Sequence, residues 1–234
     1  MSEKKVLVFS EGKGEIGAQT DPLDPNEQSL PALPCLIHRL TGELPTTRYL
    51  CRKSQPLVRF HARSRADRHR TPQPRARDAR TAIAARFVAQ SEGCVAAAIV
   101  IDHDQHDGAV RLDNLKSGRD DPGWQGYPPL ALGQAIQTFD AWMICDGTAI
   151  GQAGGDDSRS HTEPENLQGR KGTDNHPKCR AAAIFGCDPN GTGLAEKYPI
   201  VARHIDLELL KRCCPQGFAP FADEVEQHIA PVVA

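Results

Sequence analysis

The chain has 234 residues, 39% hydrophobic and 5% aromatic, with 20 glycines, 18 prolines and a formal net charge of -2. That is enough chain to bury a core, and the composition is not that of a disordered tail. No window approaches the roughly 18 consecutive apolar residues a bilayer-crossing helix needs, and MSEKK runs into an apolar stretch without a secretory segment, so no membrane association and a cytoplasmic location are expected.

In chain order, KVLVF at 5–9 is a short continuous apolar run of the kind that forms a central parallel strand covered on both faces. SEGKGEIGA follows at 10–18, carrying Gly12, Gly14 and Gly17 but also Glu11 and Glu15. Residues 28–41 show helical apolar spacing in their second half, with Pro31 and Pro34 restricting where a helix starts. A strand is expected at 56–60, leading into a segment from Arg59 to Arg80 in which eight arginines face two aspartates. Charge segregated in this way often has a polyanionic partner, so Arg63, Arg65, Arg68 and Arg70 are candidate nucleic-acid contacts. The bland alternative is a solvated loop, and with only Phe60 nearby base stacking is not indicated.

Residues 79–90 place Ile83 with Phe87 and Ala84 with Val88 at i, i+4 spacing, which predicts an amphipathic helix ending before Gly93. CVAAAIVID at 94–102 predicts a second buried strand, and it too runs into acid, in DHDQHD. A further strand is expected at 130–137, then a helix from TFDAWMICD, a long loop over 151–177 and two or three short helices in the tail. The alternation predicts an α/β fold with an open, mostly parallel sheet flanked by helices, whose sites lie at the carboxyl ends of the strands. No internal repeat appears, and the expected organisation is one domain over 1–234, with the sheet core and acids in 1–150 and loop and C-terminal helices in 151–234. The eight cysteines are scattered, two of them adjacent, and the chain is too long to need a disulfide framework, so reduced thiols are expected.

The first glycine turn is ambiguous. G-x-G-x-x-G after a strand is the dinucleotide fingerprint, but it needs a helix opening inside the turn and an acid about 20 residues on. Here Pro22 and Pro25 follow, and PALPCLIHRL offers no acid where the ribose contact belongs. The metal alternative gains from the second strand. Asp102 and Asp104 stand two apart, on one side of an extended chain with Cα atoms about 6.6 Å apart, a spacing suited to sharing a divalent cation. Adjacent parallel strands would bring Glu11 to the same crevice, and a hard oxygen-ligated ion, Mg²⁺ or Mn²⁺, relieves the repulsion among such acids. The alternatives are ordinary strand-end aspartates, loop histidines at His103 and His106, and a zinc site drawn from Cys179 and Cys187 with His161 or His176, which no C-x-x-C supports.

A strand ending in E-G and a later strand ending in D-x-D resemble the Toprim domain of topoisomerases, primases and OLD-type and maturase nucleases. EGKGE is similar to the E-G-x-x-E form of small bacterial Toprim-like proteins, including RloB-like ones, encoded beside AAA-type ATPases in phage-defence loci. AIQTFDAWMICD, the HPK at 176–178, and RHIDLELLKRCCPQGFAPFADEVE match that group as well, with Asp140 where it usually has Glu before Ala-Trp. The arginine segment departs from the compact pattern of the group.

The resemblance implies Glu11 as general acid, base or water-mediated ligand, Asp102 and Asp104 as ligands of Mg²⁺ or Mn²⁺, Glu15 and Asp140 as further catalytic or ligand candidates, and Lys178 as a phosphate contact. It implies a nuclease acting on DNA or RNA, an effector of anti-phage defence with an AAA- or ABC-type ATPase partner. The alternative is a non-catalytic Toprim-like regulatory or binding subunit of such an ATPase. With Tyr49, Tyr127 and Tyr198 as its only tyrosines and no separate large domain, the chain does not suit topoisomerase chemistry.

Overall fold

The computed structural model describes residues 3–17, 22–26, 29–53, 77–103, 108–170 and 172–234. Four strands, β1 (Lys4–Ser10), β2 (Thr47–Lys53), β3 (Ala96–His103) and β4 (Leu130–Ile136), form an all-parallel sheet in the order β2-β1-β3-β4. The two strands that run into acid in the sequence are therefore neighbours, with Val8 level with Ala98.

Strand alternation divides the apolar residues between two faces. Val6, Val8, Ala96, Ala98, Val100, Ala131 and Ala135 enter one core cluster, while Leu7, Phe9, Ala97, Ile99, Ile101, Leu130 and Leu132 enter the other. By the same alternation Ser10 and Asp102 lie on the first face. This two-sided burial explains why the strands read as continuous apolar runs.

The second face is covered by α3 (Arg77–Ser91) and α4 (Gly108–Arg119). Ala82, Ala84, Ala85 and Ala89 of α3 enter this core and Ile83 is buried as its spacing predicts, whereas Phe87, which the same spacing assigns to the buried face, is 40% exposed. Small residues let α3 approach closely: a Cβ at Gly118 of α4 would overlap the backbone of Ala79. Helix α4 itself is not expected from the sequence, since its apolar residues are few.

The first face carries α2 (Ala32–Leu40) and the C-terminal helices α7 (Gly193–His204), α8 (Leu207–Cys213), α9 (Phe218–His228) and α10 (Ala230–Val233). Trp142, fully buried, stacks on Phe221 with ring centroids 5.7 Å apart and meets Phe218 edge-on at 5.3 Å. Helix α9 lies directly against β4, so that a Cβ at Gly133 would come within 2.6 Å of the Phe221 ring.

Several expectations change in detail. The helix predicted from TFDAWMICD is a 3₁₀ segment, Phe139–Ile144, followed by α5 (Gly147–Gln152). The break has a cause: Asp146 Oδ1 accepts from the amides of Thr148 and Ala149 and starts a new helix. The loop predicted over 151–177 contains the end of α5 and two 3₁₀ turns, Asp157–Arg159 and Pro164–Asn166, and α6 (Pro177–Phe185) begins at its last residue. Strand β2 is not anticipated by the sequence reading, and the strand predicted at 56–60 lies outside the described residues. All eight cysteines are free thiols.

Candidate active site at the carboxyl ends of β1 and β3

Because β1 and β3 are parallel neighbours, the residues leaving their carboxyl ends meet over one edge of the sheet. Glu11 follows β1 directly. Its Oε2 accepts from the Asp102 amide of β3 at 3.3 Å, and its Oε1 accepts from Arg111 Nη2 of α4 at 2.6 Å. Arg111 also donates through Nη1 to the Asp102 carbonyl at 3.0 Å and has its Nε 3.8 Å from Asp78 Oδ2 of α3. Both oxygens of the Glu11 carboxylate thus have protein donors.

Asp102 Oδ1 accepts from the amide of Phe139 at 2.9 Å. For that amide to face β3, the chain turns sharply as it leaves β4. Gln137 takes a left-handed backbone, φ 65°, a conformation uncommon outside glycine. The turn also delivers Asp140, whose Oδ1 accepts from the hydroxyl of Tyr198 on α7. Tyr198 packs beside Phe139 and Phe185, with centroids 6.3 and 6.5 Å away.

Glu15 reaches the same place from the glycine turn. It lies on the one-turn helix α1 (Lys13–Ile16), which stops before Gly17 at φ 72°. Its side chain turns back to accept from the Gly12 amide, as a third-position glutamate does at a helix start. A Cβ at Gly12 would overlap Glu15 Oε1, so a larger residue there would have to displace the Glu15 side chain. Glu15 is 8% exposed, and its proton affinity is raised well above the ordinary carboxylate range, first by burial and then by the charges of Asp102, Asp140 and Glu11. The Tyr198 phenol is pushed up by burial, by Asp140 and by Glu15.

The structure therefore brings together Glu11, Glu15, Asp102 and Asp140, contributed by three separate stretches of chain. Asp104 and His106 lie outside the described residues, as do Arg63, Arg65, Arg68 and Arg70. His103 is the last residue of β3, and its Nδ1 is buried with no hydrogen-bond partner among the described residues. Lys178 stands half-buried in the first turn of α6, where its amide donates to His176 Nδ1, so that His176 serves as the helix cap. Helix α6 packs against the 3₁₀ segment that bears Asp140.

Two residues of this constellation escape sequence reasoning. Arg111 stands one turn into the helix that follows β3, a position that looks back at the strand end, and the helix was the missing signal. Tyr198 carries no local pattern that distinguishes it from a core aromatic.

The donors are of the chemical type a hard divalent cation takes, carboxylates only, and one of them is buried where the other three oppose its ionisation. Two buried hydroxyls nearby, Ser10 Oγ at the end of β1 and Thr138 Oγ1 beside Phe139, have no hydrogen-bond partner among the described residues. Among the described residues no three His, Cys, Asp or Glu side chains are drawn together tightly enough to hold a metal ion. No helix of the described residues is long and apolar enough to cross a membrane. Comparison with known proteins found no matching family model, no matching curated protein and no matching solved structure.

Proposed function

We propose that the chain is a cytoplasmic, Mg²⁺- or Mn²⁺-dependent nuclease with a Toprim-like sheet. The observation that carries this reading is the burial of Glu15 among Glu11, Asp102 and Asp140 at the carboxyl ends of adjacent parallel strands. A cluster of acids with one member buried is unfavourable on its own and favourable around a divalent cation. Asp102, Asp104 and Asp140 would hold the ion, with Glu11 as a further candidate ligand and Glu15 close behind.

A bound divalent ion supplies positive charge for the oxygens of a phosphodiester. The chain's own groups do the rest. Glu11 is oriented by the Asp102 amide, and from there it takes a proton from attacking water or gives one to the leaving oxygen. The Phe139 amide holds the Asp102 side chain in place and Tyr198 holds Asp140. Lys178 serves as a phosphate contact. The arginines at 63, 65, 68 and 70 serve as backbone contacts to DNA or RNA, with affinity falling steeply in salt. The resemblance to defence-associated Toprim-like proteins supports an ATPase partner controlling the nuclease.

One observation favours a second reading, a non-catalytic regulatory subunit of an ATPase complex: both oxygens of Glu11 are already engaged by protein donors. Purified protein incubated with plasmid DNA and with tRNA, in Mg²⁺, Mn²⁺ or EDTA and with or without the product of the neighbouring gene, separates the two. The nuclease reading expects metal-dependent cleavage that is lost in Glu11→Gln and Asp102→Asn. Identical trace cleavage by wild type and both variants supports the regulatory reading.

A further inference from the structure

Arg111 is a cation set among acids that the preceding reading assigns to another cation. Its guanidinium occupies Glu11 Oε1 at 2.6 Å and the Asp102 carbonyl at 3.0 Å, so it neutralises the very edge of the crevice at which a divalent ion is expected. On its other side stands Asp78, in the first turn of α3, with its carboxylate 3.8 Å from Nε. That contact is long for a charge-assisted hydrogen bond and close enough to become one after a small rotation of the side chain. The arginine is about a quarter exposed, as is Glu11, so movement between the two carboxylates needs no opening of the core.

We propose that Arg111 is the positioning residue of this site: it holds Glu11 against the backbone of Asp102 while no divalent cation is bound, and passes to Asp78 when one binds. The inference rests on the reading of the crevice as a metal site and adds to it a built-in competitor. A unit positive charge within a few ångströms of a divalent ion opposes its binding, so the apo protein keeps its acids ordered at the expense of metal affinity. The chain gains an ordered Glu11 in the absence of metal, without the self-repulsion that an uncompensated cluster would suffer.

The inference predicts an effect of opposite sign to a merely structural role. If Arg111 only braced the fold, its loss would disorder Glu11 and weaken metal binding. As a displaced counter-ion, its loss tightens it. Free Mn²⁺ measured by electron paramagnetic resonance during titration of the purified full chain gives the affinity directly, and no activity is required. Arg111→Gln is expected to bind Mn²⁺ about tenfold more tightly than wild type, and to melt lower than wild type in EDTA, with that deficit closing in saturating Mn²⁺. Asp78→Asn removes the place to which the arginine passes and is expected to bind Mn²⁺ about threefold more weakly. Lys116→Gln, on the same helix and exposed, controls for general charge and is expected to stay within about twofold of wild type.

Arg111→Gln binding no more tightly than wild type overturns the proposal, as does Asp78→Asn binding like wild type; the second variant decides the matter if the first does not fold. A wild-type chain that binds no Mn²⁺, or that binds it unchanged in Asp102→Asn, overturns instead the metal reading on which the proposal stands.

Discussion

Glu15→Gln tests the acid cluster through the stability of the protein, independently of any enzymatic assay. Glutamine keeps the shape of the side chain and an oxygen to accept from the Gly12 amide, and removes only the charge. In the folded chain Glu15 is opposed by burial and by Asp102, Asp140 and Glu11, whereas in the unfolded chain it ionises near pH 4.3. A carboxyl whose proton affinity rises on folding contributes stability below its unfolded value, and that contribution is lost as the pH rises through the folded one. In EDTA the wild type should therefore lose stability relative to Glu15→Gln from about pH 5 upward.

Each unit of raised proton affinity is worth about 1.4 kcal/mol, and an uncompensated buried charge costs at most about 3–5 kcal/mol, so a gain of about 1–4 kcal/mol is expected for Glu15→Gln at about pH 8.5. For a chain of this size that corresponds to roughly 3–12 °C in melting temperature. Saturating Mn²⁺ narrows the gap. At a free concentration a hundred times its dissociation constant, the ion stabilises the wild type by about 2.7 kcal/mol, and Glu15→Gln should recover less than about half of that. Melting curves at both ends of the pH range, in EDTA and in MnCl₂, measure all four quantities. Parallel pH dependences in EDTA, or a variant that melts lower than wild type at high pH, would refute the reasoning.

Other consequences follow from the same geometry. Tyr198→Phe deletes one hydrogen bond to a carboxylate and should cost about 1.5–3 kcal/mol, or roughly 3–10 °C by calorimetry, together with a loss of Mn²⁺ affinity that Asp140→Asn already incurs and the double variant does not deepen. Gly133→Ala forces a methyl against the Phe221 ring and should destabilise the chain by about 1–3 kcal/mol while leaving Mn²⁺ affinity unchanged. Burial pushes Cys51 up to about 12 and Cys35 and Cys94 up to about 11, so iodoacetamide near neutral pH should label the half-buried Cys179 and Cys187 first, as read by peptide mass mapping. Labelling of Cys51 as fast as Cys179 would contradict the burial described.

The sheet was legible because its central strands are covered on both faces: VLVF at 6–9 and VAAAIVI at 95–101 carry no polar residue until the chain nears the site. The neighbouring placement of Glu11 and Asp102 followed from topology alone. Strand β2 was not legible, since TRYLCRK mixes charge with apolar residues, and its assignment depends on pairing with β1 rather than on local pattern. Helix α4 was hidden for a related reason, its sequence GAVRLDNLKSGR having too weak an apolar period to announce a buried face. With α4 went Arg111. Asp140 was visible only through its resemblance, because its position depends on the left-handed turn at Gln137 and on a hydroxyl 58 residues away in Tyr198, neither of which leaves a local signal.

The most direct measurement is anomalous diffraction at the manganese edge from crystals of the full chain soaked in MnCl₂. One peak bonded to Asp102 oxygen, with Asp104 or Asp140 completing the ligands beside Glu11 and Glu15, is the expected result. Manganese bound only at other carboxylates, with the crevice between β1 and β3 holding none at saturating concentration, would contradict the account.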